Sequence, residues 1–319
     1  MMIITMTIGH NTWNPINSFF YTLSSTWTGI AHFFFLVMIG TLIIRLVSHI
    51  IGLDITDHTF GLIAFIIASI LIILSIINAA WPGVNTIKLS KHTLPESMRG
   101  KKIALVSDIH VGMVRYGGFV QRISKLIMNQ QPDMILIAGD LIDGPVFPYE
   151  QFLKPLEQLS APLGIYYTPG NHEGYNIHQK EFYATLPKNI TQLIDRQISI
   201  PEIGMNIIGI DYRDESLKAT EGHLMNAGYD ANTPTIVILH DPKNVKAILK
   251  HNPSLVVSGH THGGQFFPAN LVVKNMYGKY ARGLTYTNDI PSITTVGIGT
   301  AVSPMRMGVR AEIVIIEIQ

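Results

Sequence analysis

KKIALVSDIH, residues 101–110, is the stretch whose reading decides the architecture. Two lysines lead into an unbroken apolar run that gives way to Asp108 and His110. The form returns in MILIAGD (134–140), GIYYTPGNH (164–172), MNIIGID (205–211), TIVILHD (235–241) and LVVSGH (255–260). Short continuous apolar runs suit strands covered on both faces. Between the first two lies GGFVQRISKLIMNQQPD, where Phe119, Val120, Ile123, Leu126 and Ile127 fall at helical spacing and Pro132 marks the exit. Lys243 to Lys250 predicts another short helix before Pro253, and SITTVGIGT (292–300) and RAEIVIIEIQ (310–319) are rich in β-branched residues and strand-like. The chain is α/β, with sheets covered by helices.

Five of these runs end in groups able to hold a metal ion. Asp108 and His110 follow the first, Asp140 ends the second, and Asn171 and His172 follow the third. His240 ends TIVIL, and His260 and His262 follow LVVSG. Sites in open α/β sheets form beyond the carboxyl ends of strands, so groups distant in sequence converge there. Each taken alone has a duller explanation: a strand-end His is commonly hydrogen-bonded, and Asp after Gly is a common turn residue. The repetition of apolar strand, small residue and then Asp, Asn or His weighs against chance. Imidazoles and carboxylates without thiolate suit Mn, Fe, Zn or a similar divalent ion. The chain has no cysteine, so thiolate ligands and Cys nucleophiles are excluded. Two Asp, one Asn and four His are too many for one ion, and a shared carboxylate would bridge two at ~3.5–4 Å. Gly139, Gly170 and Gly259 precede ligand positions, where a tight turn or close approach excludes a Cβ. No phosphate-binding P-loop is present.

Blocks DIH (108–110), GDLID (139–143), GNHE (170–173), ILHDP around His240, and GHTH (259–262) together resemble the calcineurin-like metallophosphoesterases. SGHTHGGQ (258–265), KYARGL (279–284) and PMRMGVRAEIVI (304–315) resemble a bacterial membrane-associated subfamily, related to UDP-2,3-diacylglucosamine pyrophosphatases. The resemblance covers roughly Lys101 to the C-terminus. It implies a four-layer α-β-β-α sandwich in place of the open doubly wound sheet that the strand runs alone would favour. It also implies two divalent ions, of Mn, Fe, Zn or Ni. One would be held by Asp108, His110, Asp140 and His262, the other by Asp140, Asn171, His240 and His260. His172 would be the catalytic histidine, contacting the phosphate or protonating the leaving oxygen. Asp143 and Glu173 would support the ligands. The nucleophile implied is a hydroxide between the two ions. Arg306 and Arg310 are candidates for the substrate phosphate, because a guanidinium matches phosphate oxygens bidentately; Arg115 and Tyr116 are weaker ones.

Upstream the chain changes character. Only 14% of residues are charged, against about 25% in soluble domains. Residues 1–44 carry no Lys, Arg, Asp or Glu, and through residue 87 only Arg45, Asp54 and Asp57 are charged. Two apolar runs, about 29–53 and 59–80, each reach the ~20 residues a helix needs to cross a ~30 Å hydrocarbon layer. They predict a transmembrane hairpin within residues 1–87, followed by a catalytic domain over 88–319. The second run lacks the polar stripe of a soluble core helix. Trp13, Trp27 and Trp81 lie near the expected interfaces. Arg45 snorkels from its run. Lys88, Lys91, Arg99, Lys101 and Lys102 follow the second run, while the tail and inter-helix loop have no basic residue. The positive-inside tendency then gives a multi-pass protein of the inner membrane with a cytoplasmic catalytic domain.

A net charge of +1 selects no polyanion, so no nucleic-acid partner is expected. The function implied is hydrolysis of a phosphate ester or pyrophosphate, lipid-linked or membrane-proximal. The alternatives are a phosphodiesterase or phosphatase of soluble nucleotides or phosphoproteins, and a non-catalytic membrane scaffold.

Overall fold

The computed structural model describes residues 13–53, 56–90, 94–143, 148–176, 178–213 and 216–319. Asp54, Lys91 and the first twelve residues, which entered the charge arguments above, lie outside them.

Helix α1 runs Pro15–Ile50 and α2 runs Asp57–Ala80. Both are long and apolar enough to cross a bilayer. α1 begins fourteen residues before the expected start at Gly29. Asn14 caps it, its side chain accepting from the Asn17 N–H at 2.8 Å, and Pro15 takes the first turn. The extra segment carries small polar residues that hydropathy does not flag, and Ser18, Tyr21, Ser24 and Ser25 are buried there. At 1.5 Å per residue α1 is ~54 Å long, well beyond the hydrocarbon layer. Arg45 pairs with Asp57 at 2.7 Å at the far end of the hairpin, both largely exposed.

The strands and helices that follow build the sandwich. In chain order they are β1 (Gly83–Leu89), β2 (Lys102–Val106), α3 (Gly117–Met128), β3 (Met134–Ala138), α4 (Tyr149–Leu153), β4 (Ile165–Thr168), α5 (Asn171–Gly174), α6 (Gln179–Thr185), β5 (Thr191–Gln192), β6 (Arg196–Ile200), β7 (Met205–Ile210), α7 (Leu217–Asn226), β8 (Thr235–Leu239), α8 (Val245–Leu249), β9 (Leu255–Ser258), α9 (Ala269–Tyr277), β10 (Gly283–Thr287), β11 (Ile290–Thr294) and β12 (Glu312–Ile318). One sheet has the order β1-β12-β2-β3-β4-β5 and the other β10-β11-β9-β8-β7-β6. β2, β3 and β4 are parallel neighbours, as are β7, β8 and β9. Their carboxyl ends therefore lie on one side within each sheet.

Three apolar clusters give the four layers. Leu105, Leu136, Ile207, Ile236, Ile238 and Val257 pack between the sheets. Ile123, Ile127, Phe152 and Phe182 of the helices cover the outer face of the first sheet. Leu224, Val245 and Ile248 cover the second. Each such side chain contributes about 1.5–3 kcal/mol relative to exposure. β3, β8 and β9 have both faces buried, as their unbroken apolar runs require.

The α/β domain grips the near end of the hairpin. Arg306 N–H donates to the Ser75 carbonyl at 2.8 Å, and Arg115 donates to the Ala79 carbonyl at 3.0 Å. The latter places a cation on the carbonyl end of α2. Ser18 Oγ donates to the Met113 carbonyl, and Gly29 sits against Ser303 and Met305. Trp13 packs edge-on against Phe152 and Tyr116. It belongs to the domain core rather than to a membrane interface, because α1 starts just after it.

Candidate metal centre

Five parallel-strand ends position the cluster. Asp108 and His110 leave β2, Asp140 leaves β3, Asn171 and His172 open α5 after β4, His240 leaves β8, and His260 and His262 leave β9. The chain turns sharply there. Asp108, His110, Asp140, His260 and His262 all have positive φ, between 47° and 70°. Left-handed non-glycine residues cost about 1–3 kcal/mol each and gather where a site over-determines the backbone. Gly139, at φ 81°, lies where a Cβ would stand 2.5 Å from His240 Nδ1, and a Cβ at Gly170 would overlap the Asp140 carboxylate.

The seven expected ligand residues converge. The ligand atoms of Asp108, His110 and His262 lie within 4.8 Å of one another, as do those of Asp140, His240 and His260. His110 Nε2 is 3.1 Å from His262 Nε2, which is 3.5 Å from Asp108 Oδ1. In the second group His240 Nε2 is 3.1 Å from Asp140 Oδ2, 3.0 Å from Asn171 Oδ1 and 3.2 Å from His260 Nδ1. Asp140 joins the groups, since the same Oδ2 is 3.8 Å from His110 Nε2. His240 Nδ1 donates to the Ala138 carbonyl at 2.7 Å, leaving Nε2 to face the cluster.

This donor set fits divalent cations. Asp108 Oδ1 is fully buried and makes no hydrogen bond, an arrangement that costs free energy unless a cation meets it. Charge balance points the same way. Burial opposes ionisation of Asp140, yet His240, then His110 and His172, hold its carboxyl well below the usual range. Burial likewise opposes the charged His240, but Asp140 lifts it to about 10. A proton on His240 thus supplies positive charge that Asp140 demands. Burial, then the charges of His110 and Arg306, lowers His262, keeping it neutral as a ligand must be.

Around the cluster, Glu173 is buried and accepts from the N–H groups of Asp140 (3.0 Å), Gly170 (2.6 Å) and Ile142 (3.0 Å). It ties the loop after β3 to α5. Burial and the Asp140 charge raise its carboxyl to about 7. His172 borders the cluster with its ring partly exposed. Its N–H donates to Asp140 Oδ1 at 2.9 Å, and its Nδ1 is 3.0 Å from Asp143 Oδ1. Burial works against a charged ring there, but the hydrogen bond to Asp143 and the charge of Asp140 bring it up to about 9.

The arginines behave otherwise than expected. Arg306 is fully buried. Its guanidinium donates to the Gly299, Val296 and His262 carbonyls, and its Nη2 lies 3.0 Å from His262 Nδ1. With its donors so committed, it holds His262 and has no face for a substrate phosphate. Arg310 is exposed and donates to the Trp81 carbonyl at the end of α2. It borders a cavity of about 480 Å³ that none of the seven residues lines. Arg115 is buried against α2, and Tyr116 stacks in the Trp13 group. Asp211, at the end of the sixth apolar run, pairs with Arg213 at 3.2 Å and stays out of the cluster. Sequence reasoning missed Tyr212 and Tyr277, whose rings stand 6.4 and 6.2 Å from His260. Tyr212 directly follows a strand-end Asp, the signal that could have found it.

Comparison with known proteins places these features. The calcineurin-like phosphoesterase family model matches residues 101–264. A bovine transmembrane protein with metallophosphoesterase domain is 33% identical over 270 residues, 79% of this chain and 60% of its own length. A metallophosphoesterase of Helicobacter pylori strain J99 is 35% identical over 187 residues, 57% of this chain and 50% of its own. One from Campylobacter jejuni is 26% identical over 316 residues, 93% of this chain and 83% of its own, so that similarity reaches into the hairpin. The chain spans about 60% of the vertebrate relative, and the likeness is not confined to bacteria. On the matched 101–264 segment and the converging strand ends, the chain belongs to the calcineurin-like phosphoesterase family.

Proposed function

We propose that this chain is a membrane-anchored phosphoesterase that uses two divalent ions to hydrolyse a phosphate ester or pyrophosphate, lipid-linked or close to the bilayer. The observation that carries the reading is the position of Asp140 between two groups of buried imidazole and carboxylate donors. Asp108, His110, Asp140 and His262 would hold one ion; Asp140, Asn171, His240 and His260 the other. Bound there, the ions supply Lewis acidity and a water deprotonated near neutral pH.

The chain's own residues do the rest. Glu173 fixes the backbone on both sides of Asp140, so the bridging carboxylate keeps its orientation while charge develops. Arg306 anchors His262 through its backbone carbonyl. His172, kept protonated by Asp143, can donate from Nε2 to a phosphate or leaving oxygen and recover its proton from solvent. Its partial exposure gives that route.

The lipid-proximal part of the reading is supported by the docking of α1 and α2 directly on the loops that carry Arg115 and Arg306. An anchor there raises the local concentration of substrates in the membrane. Lys88, Arg99, Lys101 and Lys102 just beyond α2 support a cytoplasmic catalytic domain in a multi-pass inner-membrane protein. Soluble nucleotides or phosphoproteins are the second reading, with the hairpin as tether. The partial exposure of His172 favours it, since a site open to water needs no lipid-borne substrate.

Turnover of the detergent-solubilised full chain with Mn²⁺ tests both against UDP-2,3-diacylglucosamine, bis(p-nitrophenyl) phosphate and cyclic nucleotides. Selective hydrolysis of the lipid-linked pyrophosphate is expected. Preference for cyclic nucleotides would favour the second reading, and inactivity with every divalent ion would leave a scaffold.

A further inference from the structure

Helix α9 stands out on the catalytic domain because none of its residues is buried. Leu271, Val272 and Met276 are 54%, 56% and 68% exposed, and Phe267, just before the helix, is 52% exposed. Leu271, Val272 and Met276 share one side on the helical repeat, while Val273 and Tyr277, one turn apart, are the more covered pair. A nine-residue helix with an outward apolar side needs something to cover it.

Its attachment says what. His32 Nε2 of α1 donates to the Phe267 carbonyl at 2.8 Å, and the Phe266 ring packs against His32 and Phe33. The segment is thus fastened to the side of the first span. The height of that attachment can be read along α1. From His32 to Ile50 is ~27 Å at 1.5 Å per residue, close to the ~30 Å hydrocarbon thickness. With the Ile50 end at the far face, His32 marks the near face. Trp27, 68% exposed, lies five residues beyond it, at headgroup depth. The apolar side of α9 is therefore continuous with the lipid-facing surface of the hairpin at the level where hydrocarbon meets headgroups.

The opposite side of α9 borders the metal centre. Tyr277 has its ring 6.2 Å from that of His260. Met276 and Tyr277 also line a cavity of about 450 Å³, with Lys243 and Lys246 on its wall. Those lysines lie three and six residues after His240 and suit an anionic group, although none of the seven cluster residues lines that cavity.

We propose that α9 and Phe267 form an interfacial element lying on the phospholipid surface, with Leu271, Val272 and Met276 among the acyl chains. The mouth of the metal centre then opens at the headgroup layer, and the same helix is the wall shared by site and membrane. This rests on the reading that the hairpin spans a bilayer.

The test uses the absence of cysteine from the chain. Single variants Leu271→Cys, Val272→Cys and Met276→Cys of the full chain each carry one nitroxide, in vesicles of phosphatidylethanolamine and phosphatidylglycerol. Leu46→Cys reports the hairpin and Lys188→Cys an exposed position of the domain. Collision with oxygen is compared with collision with a water-soluble nickel chelate. The three α9 labels are expected to favour oxygen, as Leu46→Cys does, while Lys188→Cys favours nickel. If Leu46→Cys favours oxygen but the α9 labels follow Lys188→Cys, the proposal falls and the spanning hairpin stands. If Leu46→Cys also favours nickel, the spanning reading falls first. Mutual broadening of α9 labels between chains would show a second copy on this face and overturn a lipid occupant.

Discussion

Ile43, Ile44 and Leu46 in the hairpin are about 60% exposed, whereas Asp108, Asp140 and His240 in the α/β domain are at most 2% exposed. The first region puts apolar groups where a soluble protein has water. The second puts charges where a soluble protein has hydrocarbon. Each inversion calls for a partner other than water, which on the proposed function is acyl chains for one and divalent cations for the other. The regions meet at Arg306, whose backbone N–H reaches Ser75 of α2 while its side chain holds His262. Anchor and metal centre therefore share a residue.

The sharpest way to break the contrast is to remove the bridging carboxylate. Asp140→Asn is expected to lower turnover on bis(p-nitrophenyl) phosphate by about 10³-fold or more, several kcal/mol of transition-state stabilisation, with the far-ultraviolet circular dichroism unchanged. Near-normal turnover would sever the charged cluster from the chemistry. His172→Ala is expected to reduce kcat by about 10²–10⁴-fold while metal content stays intact, since its part is proton donation. Arg306→Lys keeps the charge but loses the fork that serves three carbonyls, that of His262 among them. It is expected to weaken metal affinity by about 10–100-fold, read by titration with Mn²⁺.

A smaller effect separates proton from metal in the same pocket. His240 in the metal-free chain titrates at about 10, above its ordinary 6.5. A raised value stabilises the fold fully below pH 6.5, and the contribution is lost as pH climbs through 10. His110 and His262 are lowered chiefly by burial, so they destabilise as pH falls below 6.5. The melting temperature of metal-free protein should therefore fall from near neutrality toward pH 10, and saturating Mn²⁺ should flatten that limb. Equal alkaline slopes with and without metal would contradict the exchange of proton for cation. The smallest effect belongs to the hairpin's far end. Arg45→Gln breaks a largely exposed pair worth about 0–1 kcal/mol, and turnover should not change.

What the sequence reveals and what it hides follow from the same physics. The strand ends are legible because each apolar run stops abruptly at a polar residue, and five of the six such stops gather at one site, Asp211 being the exception. The start of α1 is not, because Ser18, Ser24 and Ser25 bury polar groups against the domain and leave no hydropathy signal. An arginine reads alike whether it faces solvent or core. Arg306 and Arg310, four residues apart, differ entirely in burial, and only the fold tells the anchor of His262 from the exposed partner of Trp81. Trp13 fails for the complementary reason: an aromatic near a span suits an interface, but Phe152 and Tyr116 claim it first.

Metal stoichiometry tests the centre most directly. The full chain in detergent, equilibrated with Mn²⁺ and analysed for bound metal, should hold two ions per chain, and the Asp140→Asn variant should hold fewer. Uptake of a single ion or none, or two ions indifferent to the loss of Asp140, would contradict a dinuclear centre built on that carboxylate.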